Sequence, residues 1–334
     1  MADSYTQDKR LGELRPIPGL DGLVLTRFVG TEGISELFEF NVEAVSKTEQ
    51  SAKLGAAIGK DATVLIRSYG KERFFSGKLV HAAAIGFHDE GYLYRLTLRP
   101  WLYMLSKRFG SRIFHDKSVE DVLKAVATES IQFTLSRTYP QLEYVVQHRE
   151  SDLDFMLRLM EAHGMSFHFK FADGSHQMIV TDKEREDMPG GGKRVYLAQP
   201  GDMYKTEEHI YSWQPHARFT TGKVRTNDYD LLKPTQSLVG EATSSPDFTP
   251  GNYTHYEQLY PQHLAKEVSK SYGDDFAQAL LDRFRSEDQR IIAAGDAPGL
   301  TPGFKMTLTD AKPFDGEYLV VRASHTFQNE DYRT

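Results

Sequence analysis

The chain has 334 residues, of which 40% are hydrophobic and 26% are charged, and none is cysteine. This length fits about two or three folded domains of roughly 100–200 residues each, and the net charge of −7 argues against general binding to nucleic acid or anionic lipid. Without cysteine there is no disulfide, thiolate metal ligand or thiol nucleophile, and we predict that the protein is made and assembled in the cytoplasm.

The N-terminal segment, residues 1–22, begins with polar residues of mixed charge and lacks the apolar core of a secretory signal peptide. No later window approaches the ~18 consecutive apolar residues that a membrane-spanning helix requires. We therefore expect neither a signal peptide nor a membrane span in this chain.

Short strands dominate residues 23–108. In one of them, apolar side chains occupy every second position, at Phe38, Phe40, Val42 and Ala44. This period of two places one face of the strand in a core and the other in solvent. Several such strands at close spacing predict an antiparallel sandwich or barrel.

Residues 109–200 change to a mixed α/β pattern with two helices and a hairpin. Ser118 and Ser151 are each followed three residues later by an aspartate and then by apolar residues at helical spacing, which is a capping-box pattern. Gly164 ends the second helix, because glycine accepts the left-handed conformation that a helix end favours. Directly afterwards, residues 165–181 alternate around an Asp-Gly turn and predict a β-hairpin.

The C-terminal region, residues 201–330, returns to β structure, with strands expected near 208–224 and 304–323. A Ser/Thr/Pro/Gly-rich stretch at 236–252 and a helix at 274–288 interrupt these strands. The final strand-turn-strand loosely echoes one in the first β region. This echo is consistent with two β units of similar plan that flank an α/β insertion.

Patterns that carry catalysis or bind metals are weak in this chain. Neither 55–60 nor 190–193 has the glycine spacing of a phosphate-binding loop, and no Gly-x-Ser-x-Gly or His-Glu-x-x-His motif occurs. His163 and His168 fit no helical metal spacing and are predicted to be solvated or to face a partner. The acidic residues within 150–154 are predicted to complement a helix dipole. We predict no catalytic site, no cofactor and no metal.

The segment from Val146 to Met165 strongly resembles the VgrG family, the valine-glycine repeat spike proteins of type VI secretion. In that family a Gln-x-Arg-Glu-Ser/Thr-Asp strand end runs into an acidic helix that closes with glycine. Other segments agree in the same order, at residues 33–40, 75–77, 96–102, 112–118 and 300–308. The resemblance marks these structural motif positions: Phe38, Phe40, Gly77, Trp101, Gln147, Arg149, Glu150, Ser151, Asp152, Phe155, Gly164, Pro302 and Gly303.

The resemblance implies a mainly β fold with an α+β insertion at residues 109–200 and two similar antiparallel β-barrels, the first at 23–108 and the second at 201–330, as in phage tail hubs. Three chains would form a hollow homotrimer whose six barrels meet an Hcp-type hexameric tube protein, beside baseplate components and effectors or adaptor proteins. The contractile machine would then secrete or inject the assembled chain. The OB-fold and β-helix of full-length members are not visible before Thr334, and His163 replaces a common Glu at a position expected to be exposed.

The leading hypothesis is a structural hub that delivers effectors by contraction and has no catalytic site. A hub of a phage tail or of an extracellular contractile injection particle is the nearer alternative, because fold alone does not separate the two. A β-barrel carbohydrate-binding or hydrolytic domain is the alternative from another class, motivated by the 12% of aromatic residues. Such a domain would be a monomer with a deep polar pocket.

Overall fold

The computed structural model describes most of the chain and is mainly β. The described residues are 7, 10–88, 91–183, 185–188, 192–196, 207–230, 233–244, 255–258, 270–328 and 331–334. The predicted domain boundary at 200 and the second half of the Ser/Thr/Pro/Gly-rich stretch lie outside them. The division of the chain at 22, 108 and 200 stays a prediction.

Strands make up most of the regular structure. They are β1 (Gly12–Leu14), β2 (Val24–Gly33), β3 (Glu39–Ser46), β4 (Asp61–Ser68), β5 (Lys71–His88), β6 (Gly91–Arg99), β7 (Phe109–Ser118), β8 (Ile131–Thr134), β9 (Gln141–Ser151), β10 (Ser166–Ala172), β11 (Ser175–Thr181), β12 (Lys193–Tyr196), β13 (His209–Ala217), β14 (Lys223–Thr226), β15 (Gly240–Thr243), β16 (His255–Gln258), β17 (Gln289–Asp296), β18 (Lys305–Thr309), β19 (Gly316–Leu319), β20 (Arg322–Gln328) and β21 (Asp331–Arg333). The α-helices are α1 (Leu54–Ala57), α2 (Trp101–Met104), α3 (Val119–Val126), α4 (Asp152–Ala162) and α5 (Lys270–Arg285).

The first curled sheet has eight strands in the order β1-β4-β5-β6-β3-β2-β20-β21. All neighbouring pairs in it are antiparallel. Its last two strands come from the end of the chain, where Phe327 lies opposite Phe28 of β2. Residues 322–333 therefore complete the first sheet, whereas the sequence prediction grouped residues up to 330 with the second barrel. Strand β20 alternates exposed and buried side chains, and its buried Phe327 packs in the core of the first sheet, so the strand belongs to that sheet.

An aromatic core packs against one face of the first sheet. The ring centroids of Phe28, Phe40 and Phe75 lie 4.8–5.6 Å apart, at separations typical of favourable aromatic pairs. Burying each of these side chains contributes about 1.5–3 kcal/mol. The predicted alternation of β3 is confirmed, since all four of its apolar members are buried: Phe38, Phe40, Val42 and Ala44.

The insertion contains both predicted helices and the predicted hairpin. The Ser118 Oγ accepts the backbone N–H of Asp121 at 3.2 Å, and the Ser151 Oγ accepts that of Asp154 at 3.0 Å. Strands β10 and β11 form the hairpin, and β8 extends it in parallel beside β11. Strands β7 and β9 pair as a two-stranded antiparallel sheet, called the ribbon below.

The second curled sheet has five strands in the order β17-β13-β12-β18-β19. β12 is parallel to both of its neighbours, and the other pairs are antiparallel. Its core is a small cluster around Ile210, Phe304 and Leu308. The predicted mainly β fold is thus confirmed, and the two predicted antiparallel β-barrels take the form of two curled half-barrel sheets, the second of which contains the parallel pairs of β12.

A third β layer lies under the last helix. The strands β15-β14-β16 form a small sheet, and α5 packs Ala277 and Leu281 against Val224 and Ala242. The helix predicted at 274–288 spans Lys270–Arg285, and it ends earlier because Glu287 and Asp288 form turns with bonds to the third preceding residue. Within the described ranges, no helix is long and apolar enough to cross a membrane.

The end of the chain joins the two curled sheets. The backbone N–H groups of Gly295 and Thr334 donate to each other's carbonyl oxygens at 2.8 and 2.9 Å. The Tyr69 hydroxyl donates to Asp296 at 2.8 Å, and the Arg73 Nε donates to the carbonyl of Pro298 at 3.2 Å. Both backbone and side-chain bonds therefore cross from the first sheet to the second.

Candidate functional site

The motif that carries the family resemblance folds into the junction between β9 and α4. The buried Asp152 carboxylate accepts hydrogen bonds from Gln147 Nε2 at 2.8 Å and from Arg112, and it lies 2.9 Å from Arg108 Nη2. The Asp152 backbone N–H donates to the carbonyl of Arg108 at 2.8 Å. A buried carboxylate is costly unless it is paired in this way. The bonds join the start of the helix to both strands of the ribbon.

Gln147 lies at the centre of this cluster because an amide both donates and accepts. Its Oε1 accepts from Arg112 Nε at 2.8 Å, while its Nε2 donates to Asp152 and, at 3.2 Å, to the carbonyl of Glu150. A glutamate here would remove the donor and add a second buried negative charge. This cluster brings together three of the predicted motif residues, Gln147, Glu150 and Asp152. Their partner Arg112 was not among the predicted motif positions.

Arg149 lies in a β-bulge of the ribbon. The register skips one residue between Gly110 and Ser111, so Arg149 has no opposite residue and takes a φ of +50°. Its N–H donates to the Ser111 Oγ at 3.2 Å. The neighbouring Glu150 accepts from Arg158 Nη2 of α4 at 2.6 Å. A bulge turns a strand locally, and here it leads β9 into the helix.

Contacts at both ends position α4. Ser151 caps its start, and the buried Phe155 stacks on Phe114 of β7 with ring centroids 5.8 Å apart. Gly164 follows the helix with a φ of +66°, and a Cβ there would lie 2.9 Å from the Cβ of Ala279 in α5. Glycine is therefore required at this position for two reasons: the left-handed backbone conformation and the close approach of α5.

A second group of motif residues fastens the first sheet to the insertion. Phe38 stacks on Phe40 at 4.6 Å and meets the ring of His176 edge-on at 5.3 Å. The His176 Nε2 accepts the backbone N–H of Trp101 at 3.0 Å, and burial lowers the pKa of His176 to about 4. A Cβ at Gly77 would lie 2.9 Å from Phe38. The sequence marked four of these residues and missed the histidine that joins them.

A third group fastens the insertion to the second sheet. His168 is buried, and its ring meets Phe304 edge-on at 5.0 Å. Gly303 has a φ of +92°, and a Cβ there would lie 2.5 Å from the His168 ring, beside the buried Pro302. Burial, together with the charge of Arg185, lowers the pKa of His168 to about 4. The prediction that His168 is solvated or faces a partner is wrong, because Phe304 beside the second sheet covers the outer face of β10.

His163 is also buried, so the prediction that it is solvated or partner-facing at an exposed position is wrong. Its Nδ1 lies 2.8 Å from the carbonyl oxygen of Leu159, and the Tyr139 ring packs against it at 5.9 Å. Burial lowers the pKa of His163. The helix α4 ends under Tyr139 and α5, which cover this side chain. The change from the family's Glu therefore falls at a covered position.

A buried polar network in the first sheet escaped the sequence analysis. The Glu32 Oε1 lies 2.8 Å from His325 Nε2 and also accepts from Arg73 Nη2 at 2.8 Å. Burial raises the pKa of Glu32, but Arg73 and His325 outweigh it, and the net effect lowers the pKa. His325 is fully buried and also contacts the Tyr332 hydroxyl. The network therefore holds β2, β5, β20 and β21 together.

A second buried ion pair lies between the two curled sheets. A cleft of about 410 Å³ lies there and includes Arg73, Arg194 and Glu208 in its lining. Arg194 and Glu208 are buried and form an ion pair at 2.5 Å. In the ranges that the structure describes, no group of three or more His, Asp or Glu side chains could hold a metal ion. What these arrangements can do is fasten parts of the chain together.

Known proteins resemble this chain over almost all of its length. The type VI secretion system spike protein VgrG1c of Pseudomonas aeruginosa is 28% identical over 343 residues, which cover 99% of this chain and 46% of that protein. The chain thus spans about half the length of the curated relatives it matches. The resemblance to VgrG spike proteins is confirmed by these relatives.

Solved structures share the fold. The Escherichia coli c3393 protein, a type VI secretion component similar to the phage T4 tail proteins gp27 and gp5, aligns with a TM-score of 0.66 at 15% identity and covers 96% of this chain and 74% of its own. A tail protein from Neisseria meningitidis aligns with a TM-score of 0.63 at 13% identity, covering 97% and 94%. The profile of the phage tail baseplate hub (GPD) family matches residues 31–331, and the chain belongs to that family.

Proposed function

We propose that this chain is the hub of a type VI secretion puncturing spike. It is a structural protein that forms a homotrimer, joins an Hcp-type hexameric tube to the needle and delivers effectors by contraction. The observation that carries this proposal is the presence of two curled sheets in one chain, fastened by buried clusters and by the backbone bonds between Gly295 and Thr334. Three such chains present six similar units, which suits a sixfold neighbour.

We further propose which partners surround the chain. Its surfaces contact the tube protein, baseplate components, and effectors or adaptor proteins, and the chain leaves the cytoplasm with the contractile machine. The hub itself performs no chemistry. Supporting this, the described clusters use their charged groups to hold strands together, as the buried pairs at Glu32 and Glu208 do.

A phage tail hub is the second candidate. It is favoured by the name of the matching family profile and by the tail protein of Neisseria meningitidis, which shares the fold over nearly its whole length. Particles purified with the hub discriminate between the two. A tail attached to a filled capsid supports the phage hub, whereas a contractile sheath anchored in a cell envelope supports type VI secretion.

The mass in solution tests the hub proposal directly. Each chain has a mass of 38.0 kDa, and sedimentation equilibrium of both this chain and the full-length protein is expected to show three copies. The trimer should bind purified hexamers of the tube protein, and deleting the gene should stop secretion of that tube protein until the wild type is restored. A compact monomer in both forms, with secretion unchanged by the deletion, contradicts the proposal.

A further inference from the structure

The ribbon presents several exposed apolar side chains on its outer face. Ile113 and Val146 lie opposite each other in the register, 58% and 36% exposed. Tyr144 and Phe109 extend this face along the two strands, 59% and 72% exposed. An antiparallel sheet with one solvated face normally places polar residues there. The ribbon instead has apolar side chains on both faces, which is typical of a surface built for contact.

The face is held in a fixed geometry. Behind it, Gln147 and Arg112 join the two strands, and Asp152 ties both of them to α4. Phe114 on the inner face stacks on the buried Phe155. A surface that is already ordered loses little conformational entropy when a partner covers it. The cluster at the junction therefore preorganises the outer face.

The size of the face matches the apolar centre of a subunit interface. Aromatic side chains bury roughly 150–250 Å² each. Because the four side chains are between 36% and 72% exposed, they together expose on the order of 500 Å² of apolar surface. Stable interfaces bury about 800 Å² per partner. His115 and Arg149 are exposed polar neighbours at the margin of Ile113, Val146 and Tyr144, and the polar pair Ser111 and His148 separates them from Phe109. An apolar centre inside a polar rim is the usual anatomy of an interface.

The occupant that these features favour is a second copy of the chain. Interfaces of homo-oligomers are more apolar, at roughly 65%, than interfaces between partners that come and go. Among the described strands, β7 and β9 pair only with each other, so the ribbon also has two open edges. An apolar ribbon with open edges is prone to aggregation unless it is covered permanently. A subunit of the same assembly provides permanent cover.

We propose that the outer face of the ribbon, Phe109, Ile113, Tyr144 and Val146, is a subunit interface covered by a second copy of this chain. The proposal rests on the homotrimer of the proposed function and names the surface that forms it. In a cyclic trimer the contact is heterologous, so the ribbon meets a different surface of the neighbouring copy.

Site-specific photo-crosslinking of the full-length protein tests this contact. A benzophenone side chain at position 113 or 144 should crosslink to a neighbouring copy and give dimer and trimer bands. The matched control is position 219, where Phe219 is 60% exposed outside the ribbon. A trimer that crosslinks no better through 113 and 144 than through 219 overturns the ribbon interface and leaves the hub proposal standing. A monomer overturns both.

A charge in the centre of the face gives a second readout. Ile113→Asp should raise the concentration at which the trimer half-dissociates by about 100-fold or more, as expected for a central apolar contact. Phe219→Asp should leave that concentration within about threefold of the wild type. Circular dichroism of each variant checks that the monomer is folded. A folded Ile113→Asp variant that stays trimeric like the control overturns the proposal.

Discussion

The two curled sheets differ in how they are held. The first has eight strands in antiparallel pairs, and its core continues without a break into the insertion, from Phe28 to Phe167. The second has five strands in mixed pairing, and its core among the described residues is a small separate cluster around Phe304. A small core contributes less burial per residue. The second sheet therefore depends on its contacts with the rest of the chain.

Those contacts include two close approaches of the backbone. His168 and Gly303 meet without room for a side chain at the glycine, and Gly295 pairs with Thr334 through the backbone. Similar sheets in a ring have to keep a fixed spacing, so a rigid fastening suits the function proposed for them. We infer that the core of the first sheet contributes most of the stability, whereas the contacts at His168–Gly303 and Gly295–Thr334 fix the position of the second sheet.

Paired phenylalanine truncations give the strongest test of this division. Phe40→Ala removes a fully buried ring from the large core and should lower the free energy of unfolding of the whole chain by about 3–5 kcal/mol. Phe304→Ala should act mainly on the second sheet, because its cluster is separate. Hydrogen exchange should then rise in β12, β13 and β18 before it rises in β3 and β6. A uniform rise in both variants would show that the two cores unfold as one.

Acid should weaken the contacts of the buried histidines His168 and His176 before it unfolds the first core. The pKa values of His168 and His176 are lowered to about 4, against about 6.5 in the unfolded chain. Because each folded-state pKa is depressed by burial of a neutral ring, the unfolded chain binds protons first as the pH falls. Stability should be constant above about pH 6.5 and fall between pH 6.5 and 4, by on the order of 3 kcal/mol for each histidine.

Neighbouring charges set the size of this acid effect. Arg185 and Lys170 disfavour protonation of His168, whereas Lys78 and Asp61 act on His176 in opposite directions. His168→Gln should flatten the pH dependence of the second-sheet transition. His81→Gln, an exposed control outside the ribbon, should leave the profile unchanged. Identical pH profiles for the two variants would mean that His168 does not titrate as proposed at its contact with Phe304.

Local patterns predicted local structure well. The caps at Ser118 and Ser151 and the hairpin after Gly164 are set by residues within a few positions of each other, so the sequence displays them directly. Contacts between distant residues left no such signal. His325 binds Glu32 from 293 positions away, and His168 is covered by residues more than 130 positions later. Alternation identifies a buried face, but it does not show that a second sheet covers the other.

The junction at Asp152 should matter less to stability than the cores. Asp152→Ala should lower the free energy of unfolding by about 2 kcal/mol, as for hydrogen bonds to a charged group, since Arg108 and Arg112 are partly exposed and solvent can rehydrate them. Asp152→Asn keeps the shape and should lose less. Glu143→Ala, an exposed residue of the same ribbon, should change stability by at most about 0.5 kcal/mol. Urea titration of the three variants measures the order, and equal effects of Asp152→Ala and Glu143→Ala would contradict it.

The helix caps give the smallest expected effect and a matched pair. Ser118→Ala and Ser151→Ala each remove one side-chain bond to a backbone N–H and should cost about 1 kcal/mol. Only Ser151 precedes the residue that ties the ribbon to α4, so its loss should also speed hydrogen exchange in β9. If both variants left the ribbon equally protected, the ribbon would be held by the inner-face packing of Phe114, and the buried carboxylate would only help to choose the register of the strands.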